Sequence, residues 1–283
     1  MIESGLIAAR VTTYAALMLA AGIPLYLIAA RRQASLERGA CRTASMAALA
    51  GIAASLWWIL ENIAAMAAMP VAQLDRAMIT AVLEATPLGS VLVIRLIALA
   101  IAAVALCLRY RVAGAVAASL ALATSSWTGH AGATEAGLGA LHRACDVLHL
   151  LAAATWLGAL VLFVTAAIRG DNKQQLVVHL AGFAKIGSAI VLLLLLTGLA
   201  NTLIIAGWPP DWRSGWFALL AAKFALFTVM LALAASNRWR LTPALERDPT
   251  GGLHALKLSL FAETGAALAI VAIVGWLGTL TPV

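Results

Sequence analysis

Charge is scarce in this chain: 11% of its 283 residues are Asp, Glu, Lys or Arg, where a water-soluble domain carries roughly 25%. Cysteine is scarce too. Cys41, Cys107 and Cys145 are an odd number with no CxxC spacing, which argues against a disulfide framework. Long polar segments are missing, so no soluble domain is inserted, and residues 1–283 read as a single integral membrane domain. No internal repeat stands out. The chain also lacks a nucleophile elbow, a phosphate-binding glycine loop and a zinc-protease motif, which leaves an enzymatic reading without a catalytic signature.

What fills the chain is apolar. Hydrophobic residues make up 63% and the mean hydropathy is +0.98. A bilayer core about 30 Å thick needs about 20 apolar residues per helical span, and runs of that length recur between short polar breaks. Barrel strands would alternate instead. The expected fold is therefore all-α, a polytopic membrane bundle. Its eight transmembrane helices are expected near residues 6–30, 44–69, 88–108, 112–128, 142–168, 179–206, 216–236 and 256–280.

The opening MIESGLIAAR has an acid where a signal peptide has a basic region, and reads as a retained first helix. Of the 19 Lys and Arg residues, twelve fall in four breaks: RRQASLERGACR, RYR, RGDNKQQ and NRWRLTPALERDPTGGLHALK. The other breaks hold three, beside acids. Because Lys and Arg are retained on the cytoplasmic side, the first set is expected there and both termini in the periplasm of a bacterial inner membrane. The same rule accounts for the net charge of +7 without any nucleic-acid partner.

HRACDVLHLL, residues 142–151, begins the fifth span at its periplasmic end. At about 100° per residue, His142, Asp146 and His149 fall within an arc of about 60°, and Cys145 widens it to about 100°. Imidazole and carboxylate suit borderline divalent ions, and sulfur would favour Cu(I). One helix supplies too few ligands, but SWTGHAG places His130 at the exit of the fourth span on the same side. WWILENIAAMAAM brings Met66 and Met69 to the end of the second. Boundary histidines also serve simply as amphipathic residues, Asp146 fits equally as the orienting partner of His149, and Met66 and Cys145 as packing residues. His149 lies about two turns deep, where an ionisable group must face protein or water.

Five more charges lie within apolar spans. Depth places Glu61, Arg95 and Lys223 in the periplasmic half, as a candidate ion pathway in which Glu61 meets Arg95 or Lys223. Lys185 and Glu263 lie in the cytoplasmic half, as a structural ion pair.

Several segments together resemble the copper resistance protein D family of bacterial inner-membrane proteins. They are AAMAAM near residue 66, TPLGSVLVIR from Thr86, GHA at 129–131, DVLHLLAAATWLGAL from Asp146, FAKIGSAIVLLLLLTGLANT from Phe183, LLAAKFALF around Lys223, NRWRLTPAL from Asn237 and a final helix ending LGTLTP. The resemblance implies eight helices, a copper ion handled at the periplasmic face and carried into the cytoplasm, and a small periplasmic copper-binding partner. It carries the family's ligand positions onto His130, Asp146 and His149, while His142 and Cys145 rest on the shared helical face alone. Two alternatives stand beside transport. One is a b-type haem electron carrier, suggested by histidines near both faces, His179 and His254 being the inner ones. The other is a copper delivery protein that does not translocate its cargo.

Overall fold

The computed structural model describes residues 2–30, 34–134, 137–169, 173–206, 212–247 and 251–281, and among them it is helical with no strand. The charged loop residues 31–33, 170–172 and 248–250 lie outside the described residues. Among the described residues eleven helices follow one another: α1 (Ile2–Ala29), α2 (Ala34–Met66), α3 (Arg76–Ala85), α4 (Pro87–Cys107), α5 (Arg111–Ala123), α6 (His130–Ala133), α7 (Gly139–Arg169), α8 (Lys173–Ala206), α9 (Gly215–Ser236), α10 (Thr242–Arg247) and α11 (Gly251–Leu277).

Seven of these, α1, α2, α4, α7, α8, α9 with its continuation through α10, and α11, are long and apolar enough to cross a membrane. The expected fourth span is shorter: α5 has 13 residues and tightens into a four-residue 3-10 turn, Thr124–Trp127. Most helices start before the apolar runs do, α2 at Ala34 rather than residue 44 and α11 at Gly251 rather than 256. Hydropathy marks what sits in lipid, whereas backbone hydrogen bonding continues past the boundary.

Two helices lie where the sequence suggests only polar breaks. Asp75 caps α3 by accepting from the Met78 amide at 2.7 Å, and Ile79, Val82 and Leu83 then pack under Trp58, Ile59, Ile63 and Leu92. Thr86 and Pro87 start α4 immediately afterwards, as cap and first helical residue. In the other, α9 passes through a π-helical turn, Asn237–Leu241, into α10.

Because lipid is as apolar as leucine, close backbone approach rather than water exclusion holds such a bundle together. Helix α1 packs on α2, α5, α7 and α11, and α7 on α1, α5, α8 and α11. Their interface is rich in alanine, with Ala20, Ala21 and Ala154 fully buried. Gly22 and Gly158 meet backbone to backbone, so a Cβ on either would overlap the opposite main chain. Outside this centre, α8 leans on α7 and α9 on α11, leaving a lateral cleft of about 380 Å³.

The expected Lys185–Glu263 ion pair does not form. Lys185 is exposed on α8. Glu263, 2% exposed, instead accepts from Trp156 Nε1 and Asn237 Nδ2, each at 2.9 Å. Depth along a helix was legible, but rotation about its axis turned Lys185 away. Glu263→Ala is therefore expected to strand two buried donors and cost about 2–5 kcal/mol. Glu263→Gln, which keeps an acceptor for Trp156, is expected to cost much less; thermal unfolding of the two purified variants measures the difference.

Candidate metal centre

The 3-10 turn after α5 brings the chain round so that His130 starts the single turn of α6, with Gly132 set so tightly against the Trp127 backbone that a Cβ would overlap it. Helix α7 then returns into the bundle carrying His142, Asp146 and His149 on one face. All four side chains line a single cavity of about 170 Å³. Its other walls include Arg10, Tyr14 and Met18 of α1, Asn201 and Thr202 of α8, and Lys223 of α9.

Two hydroxyls hold two of the imidazoles. Thr197 Oγ1 gives its only proton to the Leu193 carbonyl at 2.6 Å, so toward His149 Nδ1, 3.0 Å away, it can only accept. His149 Nδ1 carries the proton, and Nε2 is left with its lone pair. Thr134 Oγ1 lies 3.1 Å from the His130 carbonyl and 2.7 Å from Nδ1 of His142, which is 1% exposed, and its one proton serves one of the two. His130 takes the tautomer opposite to that of His149. Its Nε2 lies 3.4 Å from the Leu277 carbonyl, an acceptor, which leaves Nδ1 free. Outer hydrogen bonds of this kind orient metal-binding histidines.

Asp146 is held in place rather than left loose. Its Oδ2 accepts from Ser126 Oγ at 2.7 Å and its Oδ1 from Asn201 Nδ2 at 3.4 Å. It interacts electrostatically with His142, His130 and Lys223. Asn201 Oδ1 is buried with no partner, a further oxygen donor in the same space. Among the described residues no three His, Cys, Asp or Glu side chains converge closely enough to hold a metal ion. The donors surround a space without closing on a point.

Met66 does not belong to this group. It is 59% exposed at the end of α2, away from the cavity. The thioether that does line the cavity is Met18, one of several apolar residues in the middle of α1, where nothing in the sequence sets it apart. Cys145 is a free, half-buried thiol outside the cavity lining.

The expected pathway charges are also placed differently from one another. Glu61 accepts from Trp57 Nε1 at 3.0 Å and sits against Gly5, not against Arg95 or Lys223. Arg95, 1% exposed, donates from Nε to Thr124 Oγ1 at 2.8 Å and lies over the Trp58 ring. Lys223 faces the cavity and interacts with Asp146.

Below the cavity, His149 and Lys223 also border the lateral cleft, whose walls are otherwise mainly Leu, Phe, Met, Ala and Trp156. Past Trp156 a further void of about 290 Å³ contains Glu263, Asn237 and Thr242. His179 lines neither the cavity nor the cleft, and His254 is exposed in the first turn of α11. Among the described residues no second histidine stands across the cleft from His149, so the haem reading has no axial pair there.

Copper appears in the descriptions of two family models and of one relative that the chain matches. Residues 1–140 match the model of the copper resistance protein D-like N-terminal domain, and residues 177–277 that of copper resistance protein D. The chain is 34% identical to Copper resistance protein D of Pseudomonas syringae pv. tomato, over 98% of this chain and 96% of that protein. It is 30% identical to Inner membrane protein YebZ of Escherichia coli (strain K12), over 54% of each. No solved structure matches it. His130 falls in the first matched stretch and Lys223 and Glu263 in the second, while His142, Asp146 and His149 lie between them.

Proposed function

Because this chain belongs to the copper resistance protein D family, as the quoted segments implied, we propose that it captures copper at the periplasmic face and carries it into the cytoplasm. The observation that carries this reading is the cavity itself. Three imidazoles and one carboxylate line the same space, and His149 and His130 each keep a nitrogen lone pair outside their hydrogen bonds. Capture then requires the walls to draw in, since the donors surround the cavity without converging. Met18 supplies the soft donor for Cu(I), and the imidazoles with Asp146 supply the borderline set for Cu(II).

The membrane arrangement that this needs is eight crossings with both termini in the periplasm of a bacterial inner membrane. Two contacts support it: Arg95 to Thr124, and Leu106 against Gly114, which together make α4 and α5 antiparallel. At about 1.5 Å per α-helical and about 2 Å per 3-10 residue, α5 and its turn extend about 28 Å, close to the hydrocarbon thickness. A short helix with a tightened end serves as the fourth span. A small periplasmic copper-binding protein is the natural donor, and the chain acts as a carrier rather than a catalyst.

One observation favours the second reading, delivery without translocation. Between His149 and Glu263 the cleft is walled mainly by apolar side chains, so copper leaving the outer cavity meets no continuous line of donors. Liposomes loaded with a copper-sensing dye decide between the two. Transport predicts lumenal copper well above that of empty vesicles, reduced in His149→Ala. Copper retained by the protein with no lumenal signal would establish delivery and overturn transport.

A further inference from the structure

Lys223 lies in the apolar run LLAAKFALF, about 12 Å along α9 from its first residue, Gly215. An ionisable side chain at that depth faces protein or water and marks a functional place rather than a lipid-facing one. Here it lines two spaces at once: the cavity shared by His130, His142, Asp146 and His149, and the lateral cleft that begins at His149. Across the cavity it interacts electrostatically with Asp146, whose hydrogen bonds come from neutral groups, Ser126 and Asn201. A fixed positive charge therefore stands at the threshold between the two spaces.

We propose that Lys223 makes this centre selective for a monovalent ion, so that the copper it takes is Cu(I). The inference rests on the copper reading above and names the oxidation state of its cargo. Its physical basis is that a fixed charge repels a divalent ion twice as strongly as a monovalent one at the same place. The donor set points the same way. Nε2 of His149, Nδ1 of His130 and the Met18 thioether are neutral, and soft or borderline ligands of this kind hold Cu(I) without further negative charge. A divalent ion leaves more positive charge uncompensated, because among the described residues lining the cavity Asp146 is the one carboxylate and Arg10 adds a second cation.

On the transport reading the same charge acts again on the way inward. Past His149 the cleft is walled mainly by Leu, Phe, Met and Ala, with Lys223 beside its entrance. Taking an ion out of water costs more the higher its charge, and a neighbouring ammonium group adds to that cost. Both terms are smallest for a monovalent ion.

Tag-free full-length protein in lipid nanodiscs, in chloride-free buffer, is titrated with Ag+ as the redox-inert stand-in for Cu(I) and with Zn2+ as the redox-inert divalent ion. Wild-type protein is expected to hold Ag+ more tightly than Zn2+; equal or reversed affinities would overturn the inference. Lys223→Met, which removes the charge, should tighten Ag+ on the order of tenfold and Zn2+ by about the square of that factor, on the order of a hundredfold. Lys223→Gln should narrow the gap in the same way, whereas Lys223→Arg, which keeps the charge, should preserve it. Should Lys223→Met fail to fold, the wild-type and Lys223→Gln titrations still decide. Equal shifts for the two ions, or none, would overturn the role of Lys223 and leave the copper centre standing. A wild-type protein that bound neither ion would remove the centre itself, and this inference with it.

Discussion

Alanine in place of His149 is expected to weaken copper binding by roughly a hundredfold or more, the upper end of what even an outer-shell change costs. His149 stands where the outer cavity meets the lateral cleft, so on the proposed reading it is both a donor in the capture site and the one cavity imidazole that also borders the cleft. The substitution is also a clean one. Thr197 keeps its bond to the Leu193 carbonyl and loses only the proton that it accepted, so no buried donor is stranded. Thr197→Val removes the orienting hydroxyl while keeping the imidazole, and should weaken copper by about 10- to 100-fold. Met18→Leu should weaken Cu(I) and spare Cu(II). Competition titrations against chelators of graded affinity, run separately with each oxidation state, read all three. Full copper affinity in His149→Ala for both states would remove the proposed centre.

That three of the four candidate residues lining the cavity could be read from HRACDVLHLL follows from helical geometry. Residues three and four apart share a face whatever the rest of the fold does, and α7 carries His142, Asp146 and His149 into one cavity accordingly. His130 was legible because GHAG ends a span on the same side. Met66 was not, because nearness to the end of a helix says nothing of the direction a side chain takes; α2 packs on α1 and α4, and its last turn lies away from α6 and α7. The same loss of rotational information separated Lys185 from Glu263. Its actual partners, Trp156 and Asn237, come from two other helices and leave no local pattern. The long apolar spans were legible from composition alone, whereas α3 had only a capping aspartate and a short amphipathic run as its signal.

The crossing of α1 and α7 makes the largest structural prediction. Gly158 touches the Gly22 backbone and the Ile23 amide, and Gly22 the Ala154 carbonyl, so neither helix can yield by moving a side chain. Gly158→Ala is expected to destabilise by about 1–3 kcal/mol through overpacking, and Gly158→Leu to leave no folded protein. The effect should reach the metal centre. Helix α1 supplies Arg10, Tyr14 and Met18 to the cavity and α7 supplies His142, Asp146 and His149, so prising the two apart widens the space that the donors must close. Copper affinity should therefore fall in Gly158→Ala, although residue 158 lies about 13 Å along the helix from His149. Gly182 and Gly265 provide the control, because a Cβ at either meets nothing within 4 Å. Alanine there should stabilise by up to about 1 kcal/mol through helix propensity alone and leave copper binding unchanged. Thermal unfolding and copper titration of the three alanine variants test both halves. If Gly158→Ala unfolded at the wild-type temperature and bound copper as tightly, the α1–α7 contact would not be what shapes the cavity.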